Sequence, residues 1–190
     1  MNRVIPAILA SPLPVIIGDG TETAVVDEHG ALVAIDQTHH EVHEGHHFTW
    51  THIDTEVDTD TPLYVRITTP DTDVEPHLTG SVDVGVSGGT VEFFEAPTLN
   101  APGTAGTPRN NNRRSLNLPT CTVFYDCTTT NDGTRLMAHL VGSTGGGSRF
   151  GGSVEQRTEW ILARNTTYIL KVTTTADNTR VALALRWYEE

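Results

Sequence analysis

The residues best able to do chemistry are bunched in one stretch, His39-His40-Glu41-Val42-His43-Glu44-Gly45-His46-His47, with His52 close behind. Imidazole and carboxylate are the ligands of zinc and nickel sites, so a metal site is the sharpest reading of this stretch. The spacing argues against it. His40-Glu41-Val42-His43 is one residue short of the His-Glu-x-x-His pattern that puts two imidazoles on one helix face. Gly45 points to a turn in place of a catalytic helix. The expectation is a polar strand and turn at the surface or in a contact, with no required metal and no cofactor.

Asp54, Glu56, Asp58 and Asp60 alternate, and on extended backbone all four would face one side. Several oxygens together suit Ca²⁺, but no glycine follows Asp58 where a calcium loop needs its sharp turn, so a solvated acidic segment is expected. Gly142-Ser143-Thr144-Gly145 and Gly151-Gly152-Ser153 do not spell Gly-x-Ser-x-Gly, the elbow that exposes a nucleophile. The same glycine-rich stretch lacks the Gly-Lys-Ser/Thr ending of a phosphate loop. No catalytic residue is assigned. Asn165-Thr166-Thr167 is a formal glycosylation sequon with nothing beside it to indicate a secretory route.

Arg109, Arg113 and Arg114 form the one basic cluster in a chain of formal net charge −12, whose single lysine is Lys171. Such a chain is ill suited to phosphate backbones and to anionic membrane surfaces, so neither nucleic acid nor membrane is expected as a partner. Arginine forks also grip carboxylates across protein interfaces. With carboxylates plentiful on the same chain, self-assembly through arginine–carboxylate contacts is the better reading of the cluster.

The elements that must hold these residues are strands. Leu63, Val65 and Ile67 alternate with Tyr64, Arg66 and Thr68, and Val82, Val84 and Val86 with Ser81, Asp83 and Gly85. Tyr168, Leu170 and Val172 alternate with Ile169, Lys171 and Thr173, and Val181, Leu183, Leu185 and Trp187 with Ala182, Ala184, Arg186 and Tyr188. This period of two predicts half-buried strands. More are expected near 48–54, 91–94, 136–141 and 159–163, and a short hairpin at Val25-Val26 and 32–35. Cys121, Val123 and Tyr125 read as one further strand. On it Cys121 and Cys127 would stand about 20 Å apart, too far for a disulfide. Short strands punctuated by turns predict an all-β fold, a β-sandwich or jelly-roll-like single domain over residues 21–190, with long loops at 96–119 and 142–153.

Residues 1–20 read as an extended arm. Pro6, Pro12 and Pro14 exclude a helix or a central strand and interrupt any signal-peptide core. Ile5, Ile8, Leu9, Leu13 and Val15 are too apolar for a solvated tail and are expected to dock on a neighbour.

Several segments resemble a group of virion structural proteins of tailed bacteriophages. They are Pro12-Leu13-Pro14-Val15 with Gly30-Ala31-Leu32, His43-Glu44-Gly45-His46-His47-Phe48, Thr68-Thr69-Pro70, the Asn/Arg loop from Arg109 to Ser115, and the closing run. That run goes from Glu159-Trp160-Ile161-Leu162 through Asn165-Thr166-Thr167-Tyr168 to Trp187-Tyr188-Glu189. The loop departs from the alternating Asn-Arg pattern of the group. The resemblance implies a particle-borne β-sandwich without catalysis, made in the host cytoplasm and placed on the capsid surface. Its partners would be the major capsid protein or other virion proteins, and itself as a homo-oligomer, a trimer by analogy. The alternatives are a glycan-binding tail or fibre component and a cupin-like metal enzyme. Trp50, Trp160 and Trp187 sit in strand patterns, not in exposed loops, which favours decoration over glycan binding. The bunching of the histidines speaks against a cupin, which takes its ligands from separate strands.

Overall fold

The computed structural model describes residues 25–26, 32–33, 37–85, 87–141 and 159–190. The expected arm with Ile5, Ile8, Leu9, Leu13 and Val15, the loop 142–153 and Val86 lie outside the described residues. Two units divide the chain, Met1–Gln37 and Thr38–Glu190. In the first, β1 (Val25–Val26) pairs antiparallel with β2 (Leu32–Val33), the expected hairpin.

The second unit is the sandwich. Its main strands are β3 (His47–Val57), β4 (Leu63–Thr68), β5 (Pro76–Val84) and β6 (Gly89–Glu95) in the first half. The second half supplies β12 (Thr134–Val141), β13 (Trp160–Ile161), β14 (Thr167–Thr174) and β15 (Thr179–Glu189). These eight pair as nested antiparallel partners, β3 with β15, β4 with β14, β5 with β13 and β6 with β12. First with last, second with next to last, is the pairing of a jelly roll, and it divides the strands between two sheets. The expected all-β sandwich is therefore what the chain forms.

Alternation makes the core. Leu63, Val65 and Ile67 of one sheet and Leu78, Val82, Val181, Leu183, Leu185 and Trp187 of the other are buried in one cluster with Phe48, Trp50, Phe93 and Tyr168. Burying each such side chain contributes about 1.5–3 kcal/mol, which is why a slip of one residue in any of these strands would be costly.

Between β6 and β12 the chain inserts a segment expected to be largely loop over 96–119. Within that stretch it instead carries β7 (Thr98–Ala101), β8 (Thr104–Ala105) and β9 (Arg109–Asn110); the strand expected at Cys121 to Tyr125 follows as β10 (Thr122–Tyr125), and then β11 (Thr128–Asn131). β7, β8 and β9 are set by tertiary pairing, not by a long alternating pattern. β9 adds to the free edge of β3, and β10 with β8 to the free edge of β4, giving sheets of five and six strands in the orders β13-β5-β15-β3-β9 and β12-β6-β14-β4-β10-β8. One insertion thus covers an edge of both sheets, edges that would otherwise invite association. The β7–β11 ribbon carries Cys127 and Leu99 onto Phe94, Ile169 and Tyr64, making a second small core on the outer side of the six-stranded sheet. Lys171 Nζ meets Asp132 Oδ2 there at 2.8 Å.

Two further expectations are corrected. Cys121 and Cys127 do not share a strand, because the chain turns at Asp126, whose φ is 54°. They are buried in different clusters and are both unpaired. The histidine segment is not a strand and turn but α1 (Gln37–Glu44). Gly45, read as a turn marker, is its C-terminal stop. At φ 79° it lets Gly45 N donate to Val42 O (3.2 Å) and His46 N to Glu41 O (2.9 Å), the two bonds of a Schellman cap.

Candidate functional site

The Asn/Arg loop after β9 divides its labour by residue type. The asparagines bond back onto the domain. Asn110 is buried, and its Nδ2 donates to Gly45 O (2.7 Å) and Asn117 O (3.2 Å). Asn112 Nδ2 donates to His43 O (2.9 Å), and Asn117 Nδ2 to Gly45 O (3.3 Å). The last carbonyls of a helix have no partners within it. Here side-chain amides of a distant loop supply them. Within the loop, Asn112 N donates to Asn110 Oδ1 (2.8 Å), Arg114 N to Asn112 Oδ1 (3.1 Å) and Ser115 N to Asn112 O (3.0 Å). A Cβ on Gly45 would stand 2.3 Å from Ser115 Oγ, so the close seat of the loop on the helix cap also requires glycine there.

Asn111 couples the loop to β3 twice. Its N donates to His47 O (2.9 Å), and its Nδ2 to His47 Nδ1 (2.7 Å). That bond leaves the proton of the neutral ring on Nε2. Burial holds His47 below its ordinary value, aided by Arg186 and opposed by Glu41.

Downstream, the loop is clamped by Glu189 on β15. Its carboxylate accepts Thr120 N (2.9 Å), Thr120 Oγ1 (2.8 Å), Cys121 N (3.0 Å) and Trp187 Nε1 (2.8 Å). Both ends of residues 109–121 are therefore fixed by buried polar groups. What lies between them faces out. Arg109, Arg113 and Arg114 are exposed, and among the described residues none of them forms an ion pair within the chain. Leu116 and Leu118 are 94% and 83% exposed. Two nearly bare leucines among three arginines, on a loop that its own asparagines hold still, form a surface suited to contact with an acidic and partly apolar partner.

The arginines singled out in the sequence are thus exposed on one anchored loop, and the two leucines beside them were missed. Their signal was their place in a polar run, where an apolar side chain has no core to enter. The histidines of α1 were read by the wrong period. His39 Nε2 and His43 Nε2 are 2.8 Å apart, one helical turn on, while His40 and His46 both lie 3.4 Å from the buried Glu41. The Asp54–Asp60 alternation does not persist. Asp54 Oδ1 accepts Glu56 N (2.9 Å), and Asp58 lies in the turn bridged to Thr61, where its Oδ1 accepts Asn178 N (2.9 Å).

Neither thiol is poised for chemistry. Burial, with the Glu189 charge beside it, pushes Cys121 up, and burial pushes Cys127 up to about 11, so both are protonated at neutral pH. Comparison with protein-family models, with curated proteins and with solved structures returns no match for this chain.

Proposed function

We propose that this chain is a virion structural protein, a capsid decoration or cement protein on the head of a tailed phage, acting through contacts and without catalysis. The observation that carries the reading is the anchored loop that presents Arg109, Arg113, Arg114, Leu116 and Leu118 from an otherwise acidic chain. A cement protein works by modest contacts repeated over a lattice, so avidity supplies what a single contact lacks. Arginine forks and bare leucines provide both the charge selectivity and the apolar area of such a contact. The jelly-roll pairing agrees with this role, as the same architecture serves many capsid proteins, although it also serves lectins and cupins.

The test compares wild type with Arg113→Glu/Arg114→Glu and with Leu116→Asp/Leu118→Asp in particles produced from the genome that encodes the chain. Both variants are expected to keep the wild-type melting temperature within about 2 °C, because these side chains touch little of the fold. Incorporation into heads, read by gold labelling in micrographs, is expected to fall at least tenfold. Label on tails or fibres in place of heads, or normal incorporation of both variants, would overturn the proposal.

A further inference from the structure

On the core-facing side of β3, the alternation that buries Phe48 and Trp50 continues into His52 and Asp54, both half-buried. An imidazole and a carboxylate thus occupy positions where the pattern would call for apolar residues. Opposite them, from the other sheet, come Tyr125 at the end of β10 and the exposed Asp126 after it. The His52 ring lies 4.4 Å from the Tyr125 ring and is stacked on Trp50 at 5.6 Å with an interplanar angle of 4°, so its orientation is fixed by packing. One ligand atom from each of His52, Asp54 and Asp126 lies within 4.8 Å of the other two.

We infer that His52, Asp54 and Asp126 form a divalent-metal site that joins the two sheets and takes a transition ion of the zinc or manganese class. Ligands about 2.0–2.2 Å from one ion lie at most about 4.4 Å from each other, so small rotations about the side-chain bonds close the set. Asp54 Oδ1 is engaged by Glu56 N, which leaves Oδ2 for the ion. Among the described residues, neither Asp54 nor Asp126 has a lysine or arginine partner, so a cation would neutralise two carboxylates that otherwise face each other. One nitrogen and two oxygens suit Zn²⁺ or Mn²⁺ better than Ca²⁺, which takes six to eight oxygens. Three protein ligands leave the remaining positions to water. The set draws on both sheets, so an ion bound there ties β3 to the turn after β10 and stabilises the folded chain by linkage.

Two imidazoles one helical turn apart suit Zn²⁺ as well, so the His39–His43 pair is removed first to exclude competition. In a His39→Ala/His43→Ala background, the full chain is dialysed against Zn²⁺, Mn²⁺ or Ca²⁺, with metal content, circular dichroism and melting temperature measured. The expected result is one Zn²⁺ per chain, a rise in melting temperature on adding Zn²⁺, and Ca²⁺ binding at least tenfold weaker. Asp126→Asn and His52→Ala are each expected to weaken Zn²⁺ binding at least tenfold. Asparagine tolerates the φ of 54° at position 126, so Asp126→Asn keeps the fold while removing the charge. Loss of all Zn²⁺ binding with the helix pair, affinity unchanged in Asp126→Asn, or Ca²⁺ bound as tightly as Zn²⁺ would overturn the inference.

Discussion

Replacing Glu189 by alanine is expected to remove the clamp on the Asn/Arg loop and to damage the core together. The side chain is buried and accepts from Thr120 N, Thr120 Oγ1, Cys121 N and Trp187 Nε1. The Thr120 groups are only partly buried, so water can replace the carboxylate there at little cost. The Cys121 amide and the Trp187 indole lie in buried bonds and have no such recourse. A buried donor left without its acceptor costs about 1–3 kcal/mol, with the upper part of that range applying when the lost acceptor was charged. Two such donors make the loss about 3–5 kcal/mol, a large share of the ~5–15 kcal/mol that holds a domain together. Glu189→Gln should cost less, about 1–2 kcal/mol, because an amide oxygen placed at Oε1 still serves both buried donors. Urea unfolding followed by tryptophan fluorescence measures both values. Trypsin at low concentration, cutting after Arg113 and Arg114, should nick the alanine variant faster than wild type while both remain folded. A loss below about 1 kcal/mol for Glu189→Ala, or equal losses for alanine and glutamine, would refute the clamp.

Two other outcomes follow from the same structure. His47 is held below 6.5 by burial, so the unfolded chain takes up its proton first. Its share of stability is therefore full above about pH 6.5 and is lost as the pH falls below that value, and a melting-temperature series should fall less steeply in His47→Gln than in wild type. Gly103→Ala should destabilise by about 2–4 kcal/mol in urea unfolding, since alanine disfavours left-handed backbone and core overpacking has a similar cost. Gly103 has φ 79°, and an added Cβ would stand 2.3 Å from the Tyr125 carbonyl oxygen.

The long strands were legible because burial repeats in them without interruption. In β4 and β15 each inward position is apolar and each interruption lies at an end, so the period of two survives in the sequence. α1 left no such trace. Its one buried residue is Glu41, not a leucine, so there is no apolar stripe to count, and its best signal, Gly45, is equally a turn residue. The role of the asparagines was hidden for a related reason. Their acceptors are the carbonyls of His43 and Gly45, which need partners only once a helix ends there. β8 and β9, of two residues each, are too short to show any period and exist because an edge strand was free to receive them. The metal triad joins Asp126 to His52 and Asp54 through the packing of two sheets, a relation that no local spacing encodes.

The nesting of the strand pairs also dictates when the domain can fold. β15 lies between β3 and β5, with its residues in register with both. Until residues 179–189 have been made, β3 and β5 lack the strand that joins them and have only the two-residue β9 and β13 to pair with. Folding therefore waits for β15 and is governed by long loop closures, which puts it among the slower topologies, in milliseconds to seconds. A cell making this chain in quantity must shield an unfinished sheet until β15 is made, and a nonsense mutation anywhere before Val181 would leave an aggregation-prone fragment in place of a smaller domain.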